Sequence, residues 1–376
     1  MFRRIRPVAV KELRQLVRDK RTLAVLLAFP AFLMILFGYA LNFDVKHIRL
    51  AVLDQDRSLE SRQFIQSFLQ SEYFDLYQEL NSASEIDELL NKGRAMVALV
   101  IPADFSSGIA QGKDVHVQVN IDGSNSNTAS TAVGYVSGVI QNYSSRLLTD
   151  VLMRSGRTHG SVPIDYRPRV WYNPELRSTP FLIPGLIVMT LLLMSVVSTS
   201  LSVVREKERG TMEQIIVSPI RPLDVILGKT IPYAFISLLG SVVVLLVSAV
   251  LFGVWVKGSW LLLYFATFFF LMGGLGLGLL ISTLTSTQQG AYSFSALLTM
   301  LPSVILSGWI FPIRNMPIPI QVVTYVIPAR YFLPILRGII VKGVGLSAYW
   351  EQMIFLVVFA LIIIFLSTMR LRRQMS

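Results

Sequence analysis

The charge-free runs of this chain constrain its fold more than any other feature. Residues 22–41, 181–204, 230–256, 258–313 and 352–369 contain no Asp, Glu, Lys or Arg. A helix needs about 20 apolar residues to cross a bilayer core, about twice what a barrel strand needs. In hydrocarbon, every backbone amide must be satisfied within the spanning structure. Four runs therefore read as single helical spans. Run 258–313 reads as two, divided at 282–290, where clustered hydroxyls and Gly290 mark a turn. Composition agrees: charged residues make up 15% of the chain, against about 25% in soluble domains. With no Cys, neither a disulfide nor a thiolate metal site contributes. His47, His116 and His159 stand apart without metal-ligand spacing. The first apolar run has no small-residue cleavage site and reads as a retained span, not a signal peptide.

Lys and Arg near span ends set orientation. Residues 1–21 hold eight cations (Arg3, Arg4, Arg6, Lys11, Arg14, Arg18, Lys20, Arg21), and the tail holds Arg370, Arg372 and Arg373. The connection after the second span holds Arg205, Lys207, Arg209 and Arg221, with Lys229 at the next span's edge. Six spans put these three segments on one face, so both termini are expected in the cytoplasm. The net charge of +11 is thus a membrane signature, and no nucleic-acid partner is expected. Ile5, Val8, Ala9, Leu13, Leu16 and Val17 recur at three- and four-residue steps between cations. Residues 1–21 are therefore predicted as an amphipathic elbow helix lying in the interface, with 22–41 as the first span.

Residues 42–179 carry 13 basic and 16 acidic residues, a balance of −3, and are expected outside as one inserted α/β domain. Strands are predicted over 48–53, 73–80, 95–101, 115–121 and 166–172. Helices are predicted over 58–70, from a capping box at Ser82 and Glu85 to Asn91, and over 127–154. Asp54 and Asp56 follow a strand end, where α/β sheets often place ligands. Without a Gly-rich phosphate loop or an Asp-rich calcium loop, they read as turn and cap residues, as does Asp122.

The remainder, 180–376, is expected to hold five spans. A coupling loop is expected over 205–224 and an external re-entrant segment over 306–345, where repeated Pro and Gly cannot continue one straight helix. No G-x-x-x-x-G-K-[ST] motif is present, so energy for uphill transport must come from another polypeptide. No cofactor is expected. The run Gly273, Gly274, Gly276, Gly278 lies inside an uncharged helix and reads as close helix packing. The spans hold almost no ionisable groups, which counts against an ion-driven carrier. Met189, Met194, Ser198, Tyr292, Ser295 and Thr299 are candidates to line a path for amphiphilic cargo, because Met surfaces repack around varied shapes. The competing reading of each is ordinary helix packing.

The second span runs directly into Arg205, Glu206, Lys207, Glu208 and Arg209, followed by Gly210, Thr211 and Glu213. Exposed ion pairs add little stability, so this density of charge predicts a docking surface. The sequence from Val204 to Gln214, with Ser218-Pro219-Ile220, Leu182-Ile183-Pro184-Gly185-Leu186 and Val170-Trp171-Tyr172-Asn173-Pro174-Glu175, resembles type-2 ABC transporter permeases of the bacterial drug-exporter subgroup. The resemblance covers the whole chain. It implies a multi-pass inner-membrane permease that pairs with a second permease, identical or not, and with two cytoplasmic ABC ATPase subunits. It implies no enzymatic activity of its own, and export of drugs or other amphiphiles. Export of a lipid or polysaccharide is the alternative, and an outer adaptor protein is a further partner such permeases can have. A membrane-anchored sensor would need a cytoplasmic signalling domain, and the longest cytoplasmic segment is only about 25 residues.

Overall fold

The computed structural model describes residues 2–41, 47–154, 171–173, 177–211 and 222–375. The chain divides into two compact units, one of residues 43–169 and one of residues 1–42 with 170–376. Helices α1 (Phe2–Arg18) and α2 (Lys20–Ala40) open the larger unit. The smaller unit consists of β1 (Ile48–Asp54), α3 (Leu59–Leu69), β2 (Phe74–Glu79), α4 (Ser84–Asn91), β3 (Val97–Ile101), α5 (Phe105–Ala110), β4 (Gln118–Ile121) and α6 (Ser126–Arg154). The larger unit resumes with α7 (Thr179–Glu208), α8 (Pro222–Phe252), α9 (Trp260–Leu284), α10 (Gln288–Ile305), α11 (Ile318–Val323), α12 (Ala329–Arg337) and α13 (Trp350–Met375).

Helix α7 is the axis of the larger unit. It is buried along nearly its whole length and touches α2, α8, α9, α10 and α12. Small residues permit this. A Cβ on Gly274 would stand 2.1 Å from Ser195 Oγ, and one on Gly278 would stand 2.4 Å from the Val196 carbonyl oxygen. On the other side of α9, Gly273 faces Phe359 and Gly276 faces Ile363 of α13. The glycine run is thus a two-sided packing surface, as its place in an uncharged helix predicted.

Five helical stretches among the described residues are long and apolar enough to cross a membrane: Leu23–Ala40, Thr179–Glu208, Ile226–Phe252, Trp260–Leu284 and Trp350–Arg370. The expected fifth span, α10, is not among them. At 18 residues it is as long as the first of these, but Gln288, Gln289, Ser293, Ser295, Thr299 and Ser303 dilute its apolar content. A sixth span arises only if Ile318–Val326 and Ala329–Lys342, bent by 83°, count as one. This bend sits in the stretch predicted as re-entrant. There Arg330 donates to the Gln321 carbonyl and lies 3.6 Å over the Tyr325 ring. Arg337 donates to the carbonyls of Phe181 and Trp309. Both arginines are thus held by carbonyl groups of the protein.

The smaller unit is a four-stranded sheet of order β2-β1-β3-β4. Strand β1 runs parallel to β2 and β3, and β4 runs antiparallel to β3. One sheet face packs Leu50, Val52, Val97 and Leu99 against Phe64, Phe68, Phe105 and Val136 of α3, α5 and α6. The other packs Ala51, Leu53 and Ala98 against Ile86 and Leu89 of α4. Helix α5 was not anticipated, and β4 begins at Gln118 where the alternating pattern suggested 115. The strand expected over 166–172 falls largely outside the described residues.

Gly274→Leu should force α9 away from α7. Overpacking of this kind costs about 1–3 kcal/mol. The purified full-length variant is expected to melt below the parent chain in detergent, and an unchanged midpoint would show that the contact tolerates a side chain.

Candidate functional site

Four charged side chains meet at the Glu208 end of α7. Helix α1 supplies Lys11 and Glu12, α7 supplies Glu206, and α8 supplies Lys229. The Lys229 ammonium lies 3.0 Å from Glu12 Oε1 and 2.7 Å from Glu206 Oε2; the second contact is an ion pair outside hydrogen-bond geometry. The Lys11 ammonium donates to Glu206 Oε1 at 2.5 Å and to Glu12 Oε1 at 3.1 Å. The result is a ring of alternating charge in which each cation bridges both carboxylates. Ser202 closes it, donating to Glu12 Oε2 at 3.4 Å and accepting from Lys229 at 3.3 Å. Glu12 and Lys229 are each only 2% exposed, and Glu206 7%.

The local sequence explains why the ring forms. Ile5, Glu12 and Leu16 fall on one stripe of α1 and are buried. Gly228, beside Lys229, lets α1 approach α8 closely: a Cβ there would stand 2.6 Å from Val8 Cβ and 3.3 Å from the Ile5 carbonyl oxygen. Burial penalises the Glu12 carboxylate, but the charge and hydrogen bond of Lys229, with those of Lys11, outweigh it and hold its pKa below the ordinary 4.5. Burial likewise opposes the Lys11 ammonium. The hydrogen bond and charge of Glu206, with those of Glu12, outweigh this and raise its pKa above 10.5.

The other charges of the predicted docking cluster are also engaged. Arg205 pairs with Asp19 at 3.6 Å and donates to Gln288 Oε1 at 3.4 Å. Lys207 donates to the Ser282 carbonyl at the end of α9. Glu208 accepts from the Gln288 backbone N–H at 2.6 Å and from its side-chain amide. These four charges, of which Glu206 is buried, Arg205 and Lys207 are half-buried and Glu208 is exposed, fasten α7 to α1, α8 and the α9–α10 turn. Arg209 and Gly210 are exposed, and Thr211 is half-buried. Glu213 lies outside the described residues.

A groove of about 410 Å3 opens between α2 and α10, with α7 as its floor. Val25, Leu26, Phe29 and Pro30 form one wall, Leu193, Met194, Val197 and Leu201 the floor, and Tyr292 the other wall. Arg205 closes the end nearest the ring. Of the predicted cargo-path residues, the groove gathers Met194 and Tyr292. Met189, Ser198, Ser295 and Thr299 do not line it, and they are buried, as Met194 also is. Ser198 Oγ and Thr299 Oγ1 both bond the Ser195 or Ser295 carbonyl of the preceding turn. Glu12, Lys11 and Lys229 were legible only as positive-inside charge and its counter-ion. Lys229, just ahead of an apolar run, was the available signal, because an ionisable group at such a place needs a partner.

Residues 20–369 match the family described as ABC-2 family transporter protein. The chain belongs to this family of membrane permeases. Its relatives include the probable multidrug ABC transporter permease YbhS of Escherichia coli (strain K12), 36% identical over all of this chain and 98% of that one. The probable multidrug ABC transporter permease YbhR of the same organism is 32% identical over 94% of each chain. The inner membrane transport permease YhhJ is 26% identical over 93% of this chain and 92% of that one.

The ring gives the fold a defined pH window. Glu12, with its pKa depressed, contributes stability above its ordinary value that is lost as pH falls through the folded value. Lys11, with its pKa raised, contributes stability below its ordinary value that is lost as pH rises through the folded value. The melting midpoint of the full-length protein is expected to be flat near neutrality and to fall below about pH 4.5. Glu12→Gln should flatten the acid limb; an acid limb of the same steepness in that variant would place the titration elsewhere.

Proposed function

We propose that this permease exports amphiphilic, drug-like molecules from the cytoplasmic side, driven by ABC ATPase subunits that dock beside the charge ring. The observation that carries this reading is the position of Arg205. It ends the apolar groove and also joins the tied block of α1, α7 and the α9–α10 turn. A push on that block reaches the groove wall through one side chain. The relatives described as multidrug permeases support a drug-like cargo. The groove's apolar walls and single cation suit an amphiphile whose polar end meets Arg205.

In this reading both termini and the ring are cytoplasmic, and 43–169 lies outside. The exposed Arg209 and Gly210, with Thr211 and Glu213, present the docking surface, while Arg205, Glu206, Lys207 and Glu208 transmit its motion inward. A second permease copy or sibling completes the transporter. Met194 and Tyr292 meet cargo directly. Met189, Ser198, Ser295 and Thr299 become accessible only if α7 and α10 separate during the cycle.

Two variants test the two halves of this reading. Val197→Trp should fill the groove and cut ethidium efflux several-fold in cells expressing the permease with its ATPase, at unchanged membrane abundance. Arg209→Glu should lower co-purification of the ATPase without changing the permease's melting midpoint. Full efflux by the first variant would remove the groove from the cargo path. Full ATPase recovery by the second would move the docking surface elsewhere.

A further inference from the structure

The smaller unit carries a second feature that transport by the helical unit does not use. Its strand order places β1 at the centre, with the connection after β1 leading through α3 to β2 on one side. The connection after β3 leads through α5 to β4 on the other side. The chain thus diverges in opposite directions from the carboxyl ends of β1 and β3. Open α/β sheets bind ligands in the crevice at such a point.

An open cleft of about 600 Å3 lies there, within the size range of small-molecule sites. Leu53 and Val100, at the ends of β1 and β3, form its apolar floor, and α4 forms one wall. Helix α4 covers the β1 side of this sheet face, so β4 lies open beside it. Gln118 and Asn120 of β4 stand opposite Val100 and Ala98 in the antiparallel register. Gln118 Nε2 donates to Asn120 Oδ1 at 3.0 Å, which leaves the Gln118 carbonyl and the Asn120 amide N–H groups available. Asp87 on α4 and His116 also line the cleft. Among the described residues, the side chains of Asp87 and His116 make no hydrogen bond or ion pair.

The aspartates that first suggested chemistry here are occupied. Asp54 accepts from the backbone N–H groups of Asp56 and Arg57 and from the Ser61 hydroxyl. Asp56 accepts from the backbone N–H and hydroxyl of Ser106. These bonds shape the loops after β1 and β3 and leave no free carboxylate for phosphoryl or metal chemistry. The cleft itself has one carboxylate and no Lys or Arg in its lining.

We infer that this crevice is a binding site for a small polar organic cation, a molecule that joins an ammonium group to several hydroxyl or amide groups. Asp87 receives the ammonium. The carboxamides of Gln118 and Asn120 offer an acceptor and a donor to the polar groups, and Leu53 and Val100 carry the carbon skeleton. The absence of lining cations disfavours phosphates and carboxylates. The inference stands on the smaller unit alone, independently of the groove and of the docking surface.

Saturation-transfer difference NMR on the full-length protein in nanodiscs tests it with three probes of one skeleton: glucosamine, glucose and gluconate. Glucosamine is expected to bind, glucose more weakly, and gluconate not measurably. Asp87→Asn should weaken glucosamine about tenfold, as loss of a charge-assisted hydrogen bond does, and bring it level with glucose. Gln118→Ala should weaken both. These surface variants should melt with the parent, which separates lost binding from lost fold. The inference is overturned if glucosamine fails to bind, if gluconate binds as well as glucosamine, or if binding survives both substitutions. Efflux that is lost in Val197→Trp while glucosamine still binds would show the two sites to be distinct.

Discussion

The structure depends on a balance of two cations and two carboxylates where α1, α7 and α8 meet, with Glu12, Glu206 and Lys229 buried and Lys11 closing the ring from its exposed side. Removing a single ion from water costs on the order of several kcal/mol even after relaxation. For the three buried members, Glu12, Glu206 and Lys229, a charge there needs an opposite partner. In the alternating ring each charge has two opposite neighbours within 3.1 Å. Such clusters are weak evidence for net stability, because a well-packed apolar set can do as well. Their effect is on geometry. The ring is satisfied in one relative position of three helices, which gives an otherwise slippery apolar interface a defined register.

That register connects the ring to the groove. Arg205 stands between them, one residue from Glu206 and one helical turn from Leu201 in the groove floor. Asp19, Gln288 and Ser282 hold the flanking charges of α7. The end of α7 is therefore tied to α1, α8 and the α9–α10 turn. Further along, the contacts of α7 change to glycine-mediated packing against α9, where side-chain interlock is minimal. In the function proposed above, it is this clamped helix that carries a push from the docking surface. The charges expected to form a docking surface also make these contacts, and in the proposed function the exposed Glu208, Arg209 and Gly210 remain for the partner.

The spans were legible because lipid imposes a one-dimensional requirement, an unbroken apolar run of sufficient length. The α/β elements were legible for a similar local reason: Ser58 accepts from Ser61 N–H as a cap, and Ser82 N–H donates to Glu85. Helix α5 escaped because Phe105–Ala110 is a single short turn of mixed composition. Helix α10 was read as a span because length without charge was weighed above its hydroxyls and amides. The ring was not legible, since its members lie at positions 11, 12, 206 and 229 and nothing local distinguishes a charge facing water from one facing a partner. The cargo-path residues divided for the same reason. Met194 and Tyr292 line the groove and Ser198 and Ser295 do not, and helix facing is set by tertiary packing.

The most direct test of this account is the melting midpoint of the full-length protein carrying Lys229→Met, compared with Glu12→Gln/Glu206→Gln/Lys229→Met. Removing Lys229 alone leaves two buried carboxylates sharing only Lys11, which should cost on the order of 3–5 kcal/mol. Neutralising both carboxylates as well should restore most of that loss. A single variant that melts with the parent, or a triple variant that melts no higher than the single one, would contradict the claim that charge balance in this ring fixes the three helices.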